Sequence, residues 1–497
     1  HSTLTVYNGL ARDMRVEVAG QTVEVPAFSH REMTLPEQSR YTVETHTGDS
    51  GELVERFDER APAGSERLVY NIAGAAPLVE WTASYGTAGE RPERRLGAVR
   101  WTSTRVDHLF NDPPEQISSR SGSGWRTVLS GLGDAPPSDM LSLLPEGSEQ
   151  ARVVDAHARW DRVASPHTRE WWGRASEQGK LQDLIGLRLK HEPHAVSLLR
   201  MEQDLAEGDA HATVCARHRA LAQADAGRSS LQYLVARCTE DGQARDQAFL
   251  DGHARWPKDA WFAMAAGYVH AERQQWQPAM ALLQQGSRLP EIGEYVSLDM
   301  ARVQRVAGDG TLPASSMAGS SRLRQMMALE SGEQTADSPM HAYHLMASGK
   351  LEQARARGAA ADPVNGPRIL RLVAASDGAD ATAVRAALSL SEGKGIDPDT
   401  VWPSLALAMR EHQPAALLRQ AALASDPEDA PDILRFIDAV QSGASLVQAE
   451  RALGDVSPRS RGMAYGAAVV LKGRQCPEAW RLAAKRLLFA PERPYFS

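Results

Sequence analysis

The apolar periodicity of this chain changes once, and that change limits what it can fold into more than any single motif does. From Thr3 to about Trp101 apolar residues recur at every second position. Leu4 and Val6 alternate with Thr3 and Thr5, Val16 and Val18 flank Glu17, Val23 and Val25 flank Glu24, and Tyr41 and Val43 alternate with Thr42 and Glu44. This period puts one strand face in a core and the other in water, as antiparallel sheets do. Turn formers separate the runs at Asn8-Gly9, Ala19-Gly20-Gln21, Leu35-Pro36-Glu37 and Gly48-Asp49-Ser50-Gly51. Further strands are expected around Leu53 and Phe57, over Leu68, Tyr70 and Ile72, and from Leu78 to Tyr85. About seven short strands at this spacing predict a small immunoglobulin-like antiparallel β-sandwich over residues 1–103. The Cys…Trp…Cys pattern of antibody domains is missing, so the likeness is one of architecture.

Residues 104–148 read as a connector. Pro113-Pro114, the Ser118 to Gly124 run, Gly131-Leu132-Gly133 and Pro136-Pro137 concentrate loop formers. Phe110, Trp125, Val128 and Leu129 are interleaved among them. A purely solvated linker has no use for such side chains, so the connector is expected to pack on its neighbours, with a mobile Ser/Gly tip.

From about Glu149 to the end, residues 149–497, the period becomes helical and the helices come in pairs. Trp261, Met264, Ala265 and Tyr268 lie at i, i+3, i+4 and i+7 on one face of a first helix. Trp276, Ala279, Leu283 and Gly286 mark a second helix that closes at Pro290. A similar pair runs from Met463 to Pro491, with Gly466, Ala467 and Val470 on its first helix and Ala479 and Ala483 on its second. These two units resemble tetratricopeptide repeats, with Met264-Ala265 standing where that family has Leu-Gly. Weaker copies fill His194 to Ala226, Ser230 to Pro257 and Pro339 to Pro363, and a further division falls near 310–338. The fold class expected is therefore α+β multidomain, a β-sandwich followed by a TPR-like superhelix. In such repeats Trp261, Met264, Tyr268, Trp276, Ala279, Gly466, Ala479 and Pro491 pack between helices rather than touch a ligand. The resemblance implies binding of a peptide or protein segment on a concave face. One echo is separate: Asp155-Ala-His157-Ala-Arg159-Trp160 recurs as Asp251-Gly-His253-Ala-Arg255-Trp256, best read as two equivalent helix ends.

Composition narrows the functions. With 55 basic against 63 acidic residues the net charge is −8, which leaves no footprint for nucleic acid. Only seven of the basic residues are lysine, and arginine forks favour a carboxylate-bearing partner. No run of 18 apolar residues spans a membrane. The chain opens at His1-Ser2 directly on a strand pattern, which suggests a removed N-terminal signal or anchor segment.

Of three cysteines, Cys215 and Cys238 lie equally far from the Ala226-Gly227 turn, so an antiparallel helix pair would bring them to one height. A bridge there is geometrically allowed, would add about 3 kcal/mol, and would imply an oxidising compartment. The alternative is two small buried residues at a helix crossing. Cys476 has no visible partner. His211, Cys215 and His218 share one helix face, as do His341 with His344 and His191 with His194, but none completes a metal-ligand set. No metalloprotease, phosphate-loop or nucleophile-elbow motif occurs, and Gly393-Lys394-Gly395 lacks the upstream glycine of a Walker loop.

These features point to a protein-interaction or scaffolding protein of the bacterial cell envelope, periplasmic and tethered, without cofactor, metal or catalytic residues. Arg273 and Gln274, near a helix turn, are the expected contacts. Two rivals remain: a glycan or envelope-polymer binding protein using the sandwich or a Trp171-Trp172 surface, and a lytic-type glycosidase with Glu170 beside that aromatic pair; against both stands the reading of Trp171 and Trp172 as core with Glu170 on the surface.

Overall fold

The computed structural model describes residues 2–60, 67–118, 122–313, 316, 320–333, 338–390 and 396–497. The Gly393-Lys394-Gly395 segment, part of the Ser118 to Gly124 run and parts of the 310–338 stretch lie outside the described residues. The chain forms two compact units, residues 1–221 and 222–497.

The first unit carries three four-stranded sheets. One has the order β10 (Trp101–Thr104), β7 (Arg67–Asn71), β1 (Ser2–Asn8), β4 (Ser29–Leu35). A second has the order β3 (Gln21–Val25), β2 (Met14–Val18), β5 (Arg40–Thr47), β6 (Leu53–Arg60). The alternation seen in the sequence is the alternation of burial: Tyr41, Val43, Thr45 and Thr47 of β5 point inward, with Arg40 and Thr42 exposed. Leu4, Val6, Leu35, Leu68 and Tyr70 of one sheet share a core with Met14, Val16, Val18, Tyr41 and Val43 of the other. The pairings are antiparallel except β1 with β7 and, in the third sheet, β11 (His108–Leu109) with β12 (Gly124–Ser130). Those two joins link strands that no hairpin connects, so no tight turn imposes antiparallel order on them.

The third sheet has the order β11 (His108–Leu109), β12 (Gly124–Ser130), β8 (Leu78–Tyr85), β9 (Arg94–Gly97). Two of its strands come from the stretch read as connector, because Gly124–Ser130 finds its partner in Leu78–Tyr85 along a full antiparallel register. Val128 and Leu129 are buried there, while Trp125 stays exposed, with the Arg91 guanidinium 4.0 Å above its ring.

The helices of this unit begin at Pro137 and are anchored to the sheets by polar groups. His157, at the end of the helix Ser148–Trp160, places Nδ1 2.9 Å from an Asp161 carboxylate oxygen and Nε2 2.9 Å from the Ala75 carbonyl. The other Asp161 oxygen accepts from the Ala11 amide at 2.8 Å. The His157 ring stacks on Trp171 at 4.1 Å, and Arg188 donates to the Ala158 and Asp161 carbonyls. The second copy of that motif also closes a helix, Gly242–Arg255, where Trp256 stacks on Phe262 at 5.5 Å.

The second unit is helical throughout. Asp259 caps the helix Ala260–Glu272 by accepting from the Phe262 amide, and the partner helix Trp276–Gly286 follows after a short turn. A Cβ built on Gly286 would sit 2.7 Å from Met264 Cβ, and one on Gly252 would strike the Phe262 ring. Glycine is therefore what lets these helices cross so closely. The hairpin of Pro458–Lys472 and Glu478–Leu487 packs not only on its neighbours but on the distant helix Gly293–Ala307. Strict nearest-neighbour stacking, the rule of an open solenoid, is thus broken.

Two glycine substitutions separate crowding from propensity. Gly286→Val should lower stability to urea by about 1–3 kcal/mol through overpacking against Met264. Gly186→Ala, in the helix Leu181–His191 with nothing near its Cβ position, should raise it by about 0.5–1 kcal/mol.

Candidate functional site

The residues singled out as packing positions sort clearly. Trp261, Met264, Ala279, Gly466 and Pro491 are buried, and Trp276 is half-buried. Trp261 stacks on Tyr233 at 5.5 Å, and the Tyr268 hydroxyl donates to Asp299 at 2.6 Å. Ala479 is a correction: it is exposed, and Trp480, Ala484 and Leu487 face the core instead. This helix follows the 3-10 turn Gly473–Gln475, with Pro477 as its cap.

Trp171 and Trp172 are only 2% and 3% exposed, which removes them as a sugar-binding wall. Trp171 covers His157, and the Trp172 indole donates to the Ala158 carbonyl at 3.3 Å. Glu170 is exposed beside them, outside any cleft the tryptophans would form. Arg273 and Gln274 are exposed at the turn, Arg273 is paired with Asp246 at 2.8 Å, and Gln274 adopts a left-handed φ of 59°. Cys215 and Cys238 are both buried, and the free cysteine among the described residues is the buried Cys476, whose thiol burial pushes up to about 12. The candidate histidines serve other bonds: His218 meets Glu202 at 2.9 Å and Gln203 at 3.0 Å, His191 meets Glu52 at 2.9 Å, and His344 meets the Glu330 carbonyl at 2.9 Å. No cluster of three metal-ligating side chains occurs among the described residues.

What sequence reasoning missed lies inside the second unit. A cavity of about 450 Å³ opens among the helices Gly293–Ala307, Ser321–Ser331, His341–Ala347 and Asn365–Ala374 and the turn Ala490–Glu492. Its apolar side is Leu298, Met326, Leu329, Met340, Phe489 and Pro491. Its polar side carries four arginines, Arg302, Arg322, Arg368 and Arg459, and three carboxylates, Asp299, Asp399 and Glu492.

The charges are organised as a chain. Arg302, 2% exposed, grips Glu492 with two bonds of 2.6 and 2.7 Å, reaches Asp299 at 3.1 Å and donates to the Leu487 carbonyl at 2.7 Å. Glu492 lies 3.4 Å from Arg459, which pairs with Asp399, which in turn pairs with Arg368. Burial alone would raise the Glu492 carboxyl, but the charge and hydrogen bonds of Arg302, helped by Arg459, outweigh it and hold the group down at about 2. Beside it Glu330 accepts from the Ala490 amide at 3.1 Å, and Arg305 donates to the Lys485 carbonyl at 2.9 Å.

Three of the four arginines are thus neutralised. No carboxylate among the described residues pairs with Arg322, whose guanidinium lies 4.7 Å from the Tyr295 ring centre. Tyr343 is 2% exposed, and its hydroxyl has no hydrogen-bond partner among the described residues. A separate acid, Glu272, is raised to about 8 by burial and by Asp246, Asp429 and Glu428, against Arg245; it does not line this cavity.

No family model matches this chain, no curated protein matches it, and no solved structure matches it.

The Glu492 pair makes acid stability measurable. A carboxyl lowered from 4.5 to about 2 contributes stability that is complete above pH 4.5 and lost as pH falls towards 2. The shift corresponds to about 3 kcal/mol. Glu492→Gln should therefore lower urea stability by roughly 3 kcal/mol at pH 7 and much less near pH 2; an equal loss at both pH values would show that the pair contributes nothing through its charge.

Proposed function

We propose that this chain is a non-catalytic interaction protein whose helical unit, a TPR-like array, binds a peptide or protein segment. The observation that carries this reading is the cavity at Arg322, Tyr295 and Tyr343, which combines an apolar side with an unneutralised guanidinium. A pocket of several hundred Å³, mostly apolar with a few placed polar groups, is the usual form of a binding site. Three arginines are committed to internal carboxylates, so the one left over sets the charge of the preferred partner as negative.

A photo-crosslinking residue tests it. Placed at Gln325, exposed at the cavity, it should give protein adducts in cells; placed at the exposed Gln284 on another helix face, it should not. Equal adducts at both positions, or none at Gln325, would contradict a binding role for the cavity.

A glycan or envelope polymer is the second reading, favoured by a cleft of about 990 Å³ in the first unit, beside the half-buried Trp101 and Trp160 with Arg100 and Arg152. Aromatic faces next to arginines suit sugars that bear acidic groups.

The envelope location rests on a proposed Cys215–Cys238 bridge, since stable disulfides belong to oxidising compartments. Intact mass under non-reducing conditions should show both thiols protected from alkylation until reductant is added, with Cys476 alkylated once the chain is unfolded. Alkylation of all three without reductant would remove the chemical basis for that location.

A further inference from the structure

The cleft of about 990 Å³ in the first unit runs along one face of the helix Ser148–Trp160. Ser148, Ala151, Arg152, Asp155, Ala156 and Arg159 all line it, at i, i+3, i+4, i+7, i+8 and i+11. At a rise of 1.5 Å per residue that face is about 16 Å long. The strands Leu53–Arg60 and Trp101–Thr104 supply further lining. A smaller cavity of about 100 Å³, lined by Leu187 and His191, shares Arg159 and Trp160 with the cleft. The two therefore adjoin at the helix end, and together they make a groove that continues past Trp160.

The carboxylates of the cleft are spent inside the protein. Glu55 accepts from the Tyr70 hydroxyl at 2.6 Å and the Ala73 amide at 2.7 Å, and it pairs with Arg100 at 3.4 Å. Glu59 lies 3.9 Å from Arg100, and Asp155 pairs with Arg159 at 3.5 Å. Arg152 and Lys180, both exposed, have no ion pair among the described residues, and the Nε1 groups of Trp101 and Trp160 have no hydrogen bond there. The unspent cations and ring nitrogens are all donors. A peptide brings one N–H for each C=O and would need acceptors that this surface has already used. A sugar chain bearing carboxylates brings acceptors in excess, and its apolar ring faces suit the indoles. A singly charged carboxylate is tolerated beside Glu55, Glu59 and Asp155, whereas the nearly double charge of a phosphate monoester is repelled more strongly.

We propose that this groove holds an interior stretch of a linear polymer of uronic acid sugars, laid along the helix Ser148–Trp160, with Arg152 and Lys180 meeting separate carboxylates and Trp160 against a sugar ring. The proposal rests on the glycan reading of the cleft and adds to it the charged group, the linear form and the line that the chain follows.

The test uses the full chain and calorimetric titration at fixed ionic strength. The probes are the dimer and the hexamer of galacturonic acid, the hexamer as its methyl ester, and hexaglutamate. The free-acid hexamer should bind about tenfold more tightly than its ester, the dimer or hexaglutamate. Arg152→Gln and Lys180→Gln should each weaken the acid hexamer about fivefold, leave the ester unchanged and leave the melting temperature unchanged, since both side chains are exposed and unpaired. Trp160→Phe, which keeps an aromatic ring against the core, should weaken acid and ester alike. Equal affinity for acid and ester, for hexamer and dimer, or for hexamer and hexaglutamate would overturn the proposal, as would an acid affinity untouched by both charge substitutions. Acid and ester binding equally, and both lost in Trp160→Phe, would sink the uronate assignment but keep the glycan reading. Binding of no sugar would overturn both, so the two failures are distinguishable.

Discussion

The buried pair of Arg302 and Glu492 is the contact on which the helical unit depends. It joins residues 190 positions apart and turns a row of helix pairs into a unit whose last hairpin packs back on the helix Gly293–Ala307. Removing two charges from water is costly, and the geometry here offsets that cost: both guanidinium forks are used, Asp299 takes Nε, and the Phe489 amide donates to Glu492 at 2.8 Å. Removing one partner would leave the other buried with weaker matches, Arg302 with Asp299 or Glu492 with Arg459. Beyond stability, such a pair fixes one arrangement of the C-terminal turn, and the cavity exists only in that arrangement, since Phe489, Pro491 and Glu492 form part of its lining.

The same network sets the chemistry of the site. Arginine is needed where a planar fork must serve several acceptors at once, as Arg302 does, and lysine could not replace it there. Once three arginines are matched to Asp299, Asp399 and Glu492, specificity falls to what is unmatched. On the proposed reading, the groups not needed to hold the unit together are the ones offered to a partner. Tyr268 also joins this chain through its bond to Asp299.

Much of the architecture was legible because its signals are local. Period-two alternation over Tyr41 to Thr47 reports burial within one element, whereas the single face of Trp261, Met264, Ala265 and Tyr268 understated the helix Ala260–Glu272, which also buries Phe262, Ala263, Ala266 and Gly267. Strand Gly124–Ser130 was not legible, because its partner Leu78–Tyr85 lies some 40 residues away and its own composition is that of a loop. Ala479 was misplaced because an alanine carries little signal of which side is buried, and the core-facing residue is its neighbour Trp480. The adjacent Trp171 and Trp172 were open to two readings, core or ligand wall, and the helix Thr168–Glu177 buries both. The cavity was hidden altogether, since its ion pairs join Arg302 to Glu492, Arg459 to Asp399 and Arg368 to Asp399 over long stretches of chain. The arginine excess was the available signal, and it pointed to a carboxylate without showing where.

The C-terminal turn is locked into the helical unit rather than lying on it. Hydrogen exchange of the Phe489 and Ala490 amides measures this directly, because both donate to buried carboxylates, Glu492 and Glu330. A locked turn predicts exchange as slow as that of the helix Gly293–Ala307, released only when the whole unit opens. Exchange at the rate of a free chain end would contradict the lock, and with it the cavity that depends on it.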